Sequence, residues 1–306
     1  MIDIVCNIDE NYIEHCGVML SSLFIHNSQE DFRIHIINSN VNLKQKERLI
    51  TFCQRFNASL HFYDVDFSSI QNFPIRTQDH LSLAAYLRLF MSKLIPDYVD
   101  KVLYLDCDLL VVNSIKELWE TSVENIAVAA VEERPPYNTK SPASLGYPIE
   151  FSYFNSGVML VNLKLWREEN LFDQFKTFIT NNYDVIRLHD QDVLNALLYK
   201  KRKFISIRWN IMDFFLFTQP KIQKRRLEDL QAAIENPVII HFTGKRKPWS
   251  HSCDSPYRKQ YIALAHRYHW NVITPQESIR YHIRKTWYII LTGLHLKRRR
   301  TVPIKK

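Results

Sequence analysis

Glycine is scarce in this chain: five in 306 residues (Gly17, Gly146, Gly157, Gly244 and Gly293), no two within six positions of each other. Neither a GxGxxG turn nor a P-loop can be written anywhere, so a phosphate-bearing ligand would have to be gripped by side chains and a metal. The five cysteines (Cys6, Cys16, Cys53, Cys107, Cys253) are odd in number and scattered, with no CxxC pair. That pattern excludes a disulfide framework and a zinc ribbon, suits a reducing cytoplasm, and leaves most of them as small core residues. No basic segment followed by an apolar stretch opens the sequence, so no secretory signal is expected. Near the C-terminus the longest unbroken apolar run, residues 287–291, falls far short of the roughly 20 residues that span a bilayer.

Hydrophobic residues make up 46% and charged residues 24%, the profile of an ordinary globular protein with a substantial core. The net charge of +8 is unevenly spread. Nine Lys/Arg and no acid lie from residue 280 onward, so residues 1–279 carry −1 between them. The basicity belongs to a tail and not to the body, which ranks nucleic acid low as a partner.

Apolar runs alternate with helical periodicity along the first half. IDIVCNI, FRIHIIN and SLHFYDV read as strands, and residues 12–25 and 43–56 as helices between them, a β-α-β pattern that argues for a largely parallel sheet. Residues 81–94 and 190–198 read as further helices. KVLYLDCDLLVV, IAVAAVEE, GVMLVNL and PVIIHF read as strands. Residues 133–148, rich in Pro, Ser and Gly, read as a mobile loop over a site. One domain spanning 1–272 and a basic aromatic tail spanning 273–306 is the simplest division.

In YLDCDLLV, Asp106 and Asp108 are one residue apart. In a plain strand they face the same side, and two adjacent carboxylates repel unless a cation sits between them. A hard divalent ion held there has positions left for a diphosphate. The bland alternative is a strand end carrying two solvated acids. A pair that interrupts a strand apolar on both sides is costly without a function.

With these residues in view, the chain resembles the retaining glycosyltransferase family 8, which includes bacterial lipopolysaccharide galactosyl- and glucosyltransferases. The resemblance covers roughly residues 2 to 250 and rests on six pieces in order: IVCNIDENY, AAYLRL, YLDCDLLV, YFNSGVMLVNLKLW, HDQDVLN and HFTGKRKPW. It implies a GT-A type nucleotide-sugar-binding fold in the α/β class, with a mixed, mainly parallel central sheet.

The resemblance also implies roles. Asp9, Asn11 and Tyr12 fall where the family contacts uracil and ribose, although Asp9-Glu10 replaces a commoner aspartate pair and leaves contacts through Asn7 and Ile8 uncertain. Asp9 could equally cap the helix that follows. Asp106 and Asp108, with Cys107 between them at the nucleotide, are joined by His241 as the metal ligands. An O,O,N donor set favours Mn2+ over Mg2+. Lys247 would hold a phosphate beside Gly244, where a missing Cβ permits close approach. Arg88 would lie near the diphosphate and the donor sugar, although by spacing alone it is an exposed helix arginine.

Asn155, Ser156 and Gly157 fall on the sugar-contacting turn. Asp190 falls where a carboxylate bonds sugar hydroxyls, unless it only caps its helix. Gln191 falls opposite the leaving UDP, with Asp192 a weaker candidate nearby.

The implied activity is transfer of glucose or galactose from a UDP-sugar to a glycan, forming an α-linkage. Lipopolysaccharide or another lipid-linked saccharide is the acceptor class. Two other readings stay open: a self-glycosylating primer of the glycogenin kind, and a catalytically silent sugar-binding protein. Residues 279–300 mix aromatic, aliphatic and basic side chains, as in an amphipathic helical tail lying on an anionic membrane. Nine cations at about 1 kcal/mol each set an upper limit of roughly 9 kcal/mol for that attraction. The expected location is therefore the cytoplasmic face of the membrane.

Overall fold

The computed structural model describes residues 1–65, 83–217, 220, 222–250 and 252–272, with 283, 286, 287, 290–292 and 294. The first half follows the expected alternation: β1 (Ile2–Ile8), α1 (Ile13–His26), β2 (Phe32–Asn38), α2 (Leu43–Gln54) and β3 (Ser59–Asp64). Helix α2 starts where it does because Asn42 and Gln45 form a reciprocal capping box, satisfying two backbone N–H groups that the first turn leaves open. After a 3-10 segment at Leu83–Phe90 come α3 (Met91–Leu94), β4 (Lys101–Leu105), β5 (Leu109–Val111), α4 (Lys116–Glu120) and β6 (Val128–Glu132). Then follow α5 (Tyr137–Ser144), β7 (Phe154–Asn162), α6 (Leu163–Glu168), α7 (Leu171–Asn182) and α8 (His189–Leu198). The remaining elements are β8 (Arg202–Phe204), β9 (Ile211–Met212), α9 (Leu227–Glu235), β10 (Ile239–His241) and α10 (Arg258–Arg267).

Seven strands form one mixed sheet in the order β3-β2-β1-β4-β7-β6-β8. Its neighbours are parallel except where β7 runs against β4 and β6. A small second sheet, β5-β10-β9, stands beside it. Period-2 alternation divides the core. Ile2, Ile4, Cys6 and Ile8 of β1, with Leu103 and Leu105 of β4, pack into one cluster with α1. Val5, Val102 and Tyr104 pack on the opposite face with the residues of α6, α7 and α8. Both faces are covered, which explains why β4 reads as a continuous apolar run after Lys101 and does not alternate. All five cysteines are buried free thiols, as their composition implied.

Three expectations are corrected. KVLYLDCDLLVV is not one strand: the chain leaves the large sheet after Leu105 and joins the small one at Leu109, with Asp106, Cys107 and Asp108 at the crossing. Residues 133–148 are not loop throughout: α5 occupies Tyr137–Ser144, and a 3-10 turn follows at Ile149–Phe151. Residues 83–94 form a 3-10 segment running into one α-turn, not a regular helix; residues 81 and 82 lie outside the described residues.

Most of the expected tail helix also lies outside them. Four tail residues that are described, Ile283, Trp287, Ile290 and Leu294, are all exposed, and the Leu294 N–H donates to the Ile290 carbonyl at 2.9 Å. Among the described residues no helix is long and apolar enough to cross a membrane.

Candidate active site

The crossing between the two sheets places the aspartates. Asp106 N–H donates to Gly157 O of β7 at 2.9 Å, extending the large sheet by one bond. The Asp108 carbonyl accepts from Phe242 N–H at 3.0 Å, anchoring the next residues to the small sheet beside β10. His241 ends β10. Its Nε2 lies 3.2 Å from Asp108 Oδ1 and 3.7 Å from Asp106 Oδ2.

Ligand atoms of Asp106, Asp108 and His241 all lie within 4.8 Å of one another. The His241 Nδ1–H donates to Asn210 Oδ1 at 2.9 Å, which leaves the Nε2 lone pair facing the two carboxylates. The donor set therefore fits a divalent ion. A glycine is required beside it, because a Cβ on Gly157 would sit 2.2 Å from the His241 ring and 2.7 Å from Asp106 Oδ2.

Lys247 reaches back to this group. Its Nζ bonds Asp108 Oδ2 and, at 2.7 Å, the Phe242 carbonyl. Burial alone would raise the Asp108 carboxyl, but Lys247 and His241 beside it hold it well below the usual carboxylate range. Burial would lower Lys247, and Asp108 more than offsets this.

Arg88 is buried, contrary to its reading as an exposed helix residue. Its Nη2 donates to Asp106 Oδ1 at 2.9 Å, its Nη1 to Ser156 O at 2.9 Å, and its Nε lies 3.0 Å from Asp190 Oδ2. Asp190 is not a helix cap: it lies inside α8 and accepts from Ser156 Oγ at 3.0 Å. Burial pushes its carboxyl up to about 6, against the pull of Arg88. The Gln191 side-chain oxygen accepts from Ser156 N–H at 2.9 Å and Asn155 Nδ2 at 3.2 Å. Asp192 serves the fold instead, accepting from the Tyr153 hydroxyl and from the N–H groups of Arg187 and Leu188.

Arg88, Asp106, Asn155, Ser156, Gly157, Asp190, Gln191 and Gly244 all line one cleft of about 830 Å3. Asp9, Asn11 and Tyr12 lie outside its lining. Asp9 Oδ1 accepts from the N–H groups of Asn11 (2.9 Å) and Tyr12 (3.2 Å), closing the turn before α1; it is not the helix cap, since Tyr12 holds that position. Tyr12 meets the Trp249 ring edge-on, with centroids 6.1 Å apart, which ties this turn to the segment bearing Lys247. The Cys107 thiol is buried beside Cys6 and Cys16, so any nucleotide contact there comes through backbone.

Several residues carried no sequence signal. Asn210 orients His241. His15 stacks on Trp249 at 3.5 Å and shares a hydrogen bond with the Tyr261 hydroxyl, fixing the Lys247 segment from below. Glu133, Arg134, Tyr137, Asp213, Phe214 and Phe217 also line the cleft. Burial raises Glu133 above the usual carboxylate range and pushes Asp213 to about 6. An alternation of apolar strands and helices cannot reveal which distant side chains meet in this way.

The chain superposes on a crystal structure of galactosyltransferase LgtC in complex with donor and acceptor sugar analogues. The TM-score is 0.79 at 26% identity, covering 87% of this chain and 96% of that one. Another LgtC structure is of an active-site mutant with glutamine changed to glutamate. This fold, with a carboxylate–imidazole group at the junction of its two sheets, defines a glycosyltransferase of the GT-A class.

More narrowly, the chain belongs to glycosyltransferase family 8, whose profile matches residues 3–253. It is 31% identical to General stress protein A of Bacillus subtilis, over 88% of this chain and 95% of that protein. It is 28% identical to the lipopolysaccharide 1,3-galactosyltransferase of Salmonella typhimurium, over 86% and 77% respectively.

Proposed function

We propose that this protein moves glucose or galactose from a UDP-sugar to a saccharide acceptor with retention of configuration, forming an α-linkage. The observation that carries the reading is the convergence of Asp106, Asp108 and His241 within 4.8 Å, with Asp106 also lining the cleft. A divalent ion held by those three supplies positive charge to the diphosphate of the donor. Mn2+ is the ion this donor set prefers, and Mg2+ is the other that fits.

The chain's own residues do the rest. Asp9, Asn11 and Tyr12, with the backbone at Cys107, bind the uridine. Lys247 and Gly244 hold the diphosphate, so that Lys247 exchanges part of its pairing with Asp108 for phosphate oxygens. Arg88 offers a second cation near the leaving group, already oriented by Asp106 and Asp190. Asn155, Ser156, Gly157 and Asp190 hold sugar hydroxyls.

Gln191 lines the face of the sugar away from UDP. Its oxygen already accepts two hydrogen bonds, and an amide is a poor nucleophile, so attack from the same face as the leaving group is favoured. In that scheme the departing phosphate receives the acceptor's proton.

The acceptor class is lipopolysaccharide or another lipid-linked surface glycan, as the similarity to the Salmonella galactosyltransferase supports. Residues 1–272 form the catalytic domain and 273–306 attach it to the cytoplasmic face of an anionic membrane. Exposed Ile283, Trp287, Ile290 and Leu294 recur at helical spacing next to the basic residues, which supports that attachment.

A screen of UDP-sugars for Mn2+-dependent UDP release, with NMR of the product linkage and co-sedimentation with phosphatidylserine vesicles, tests the whole reading. Release from UDP-glucose or UDP-galactose, an α-linked product and salt-sensitive vesicle binding are the expected results. UDP binding with no turnover would return the silent sugar-binding alternative. An inverted product would sink the same-face scheme.

A further inference from the structure

Outside the cleft, the β8 edge of the large sheet gathers positive charge around one buried carboxylate. Glu132 ends β6 and is 1% exposed. It accepts from Ser152 Oγ, from Asn138 Nδ2 at 3.3 Å and from Arg225 Nη2 at 2.6 and 2.7 Å. Its Oε2 also lies 3.4 Å from Arg226 Nη1. A carboxylate offers about four lone-pair sites, and these contacts fill them.

Arg202 opens β8, the outermost strand, close enough to Glu132 and Arg225 to feel both charges. With Glu132 full, its guanidinium is left over. It lies over the Phe204 ring at 3.6 Å, and its Nε is buried with no hydrogen-bond partner, although the residue as a whole is only half-buried. Burial pushes Arg202 down to about 10, with Arg225 adding to the effect and Tyr147 and Glu132 opposing it. Within this group three guanidiniums, Arg202, Arg225 and Arg226, are set against two carboxylates, Glu132 and Asp229. One positive charge is uncompensated, and charges withdrawn from water are ordinarily paired.

We propose that Arg202 and Arg225 form a binding site for a phosphate group, separate from the donor site. Neither residue lines the cleft, whereas Glu133, next along the chain from Glu132, does, so the two sites are neighbours. The side chain of Arg225 is 58% exposed, which leaves it open to a ligand while it holds Glu132. A phosphate presents oxygens in tetrahedral directions, so guanidinium forks arriving from two segments can both engage it. A carboxylate has two oxygens in one plane and suits a single fork. Inorganic phosphate and a phospholipid headgroup share this chemistry, and exposed Lys200 and Lys203 beside Arg202 favour either. The site stands independently of the transferase reading.

The test titrates the full chain with inorganic phosphate by calorimetry at constant ionic strength, with acetate as the comparison anion. Wild type is expected to bind phosphate with a Kd on the order of 1 mM or tighter. Arg202→Gln is expected to weaken it at least about tenfold, the worth of one hydrogen bond to a charged group. The same variant should keep its UDP affinity, measured with Mn2+, within about twofold, as for sites that share no partner. Because Arg202 has no partner to lose, Arg202→Gln should melt no lower than wild type. Arg202→Lys, which keeps the charge and loses the fork, supplies the same readout should the first variant not fold.

A second arm replaces inorganic phosphate with phosphatidylglycerol vesicles. Weakening of both by Arg202→Gln assigns the ligand to a lipid headgroup; weakening of inorganic phosphate alone assigns it to a soluble phosphate ester. Phosphate binding that is equal in wild type and variant overturns the proposal, whatever the vesicles do. So does a wild type that binds phosphate no better than acetate, or a variant that loses phosphate and UDP affinity together.

Discussion

Around the ends of β4 and β7 and the start of α8, the side chains of Arg88, Asp106, Ser156, Asp190 and Gln191 interlock through hydrogen bonds. Elsewhere in the lining of the same cleft, Asp213 Oδ1 and Arg134 Nε are buried with no hydrogen-bond partner, as is Arg88 Nε within the network. The network is held in its working arrangement before any ligand arrives. Charge that must be stabilised during group transfer gains most from groups that need no reorganisation.

The sharpest way to break this contrast is Arg88→Met. It removes the cation that faces two buried or half-buried carboxylates, leaving Asp106 and Asp190 unpaired. The expected loss is about 3–5 kcal/mol of folding stability, read by urea denaturation. An unchanged midpoint would mean that the wall is not prestressed by this network.

Next in size, Asp108→Asn is expected to lower metal-dependent UDP release about 10²–10³-fold. It should also abolish the Mn2+ heat seen by titration calorimetry. A variant that keeps both would detach the aspartate pair from the metal.

The smallest effect concerns the support beneath Lys247. Burial lowers the His15 imidazole to about 4. A histidine kept neutral in the fold binds fewer protons than the unfolded chain does between pH 6.5 and 4. Its stabilising contribution is therefore complete above 6.5, falls with pH, and is gone near 4. Wild type should lose up to about 3 kcal/mol relative to His15→Phe over that interval. Parallel stability–pH curves for the two proteins would show that His15 titrates as in the unfolded chain. The comparison must be made as this difference, because Asp190 and Asp213, both raised to about 6, act in the opposite direction over the same range.

Local pattern carried a good deal of this. The β-α-β alternation of the first half appears where periodicity put it, since β1 and β2 are mainly apolar strands buried on both faces and α2 opens at its own capping box. Asp106 and Asp108 were visible because carboxylates interrupt an apolar run. Their conformation was not: the reading as a single strand missed the crossing from one sheet to the other, since the register of β5 against β10 is set by residues about 130 positions away. Arg88 looked like a solvated helix residue because its partners Asp106, Ser156 and Asp190 come from three other segments. Asp213, Arg134 and Asn210 offered no signal at all, being single polar residues without a motif.

Sequence alone determined the α/β class, the absence of a glycine phosphate cradle, and the aspartate pair able to hold a metal, because these depend on composition and on short-range spacing; His241 came in only through the family resemblance. Only the tertiary structure decided that His241 turns its lone pair toward both aspartates, that Gly157 must lack a Cβ, and that Arg88 is buried between Asp106 and Asp190. Those outcomes depend on distances between strands remote in the chain, which packing fixes and local propensity does not.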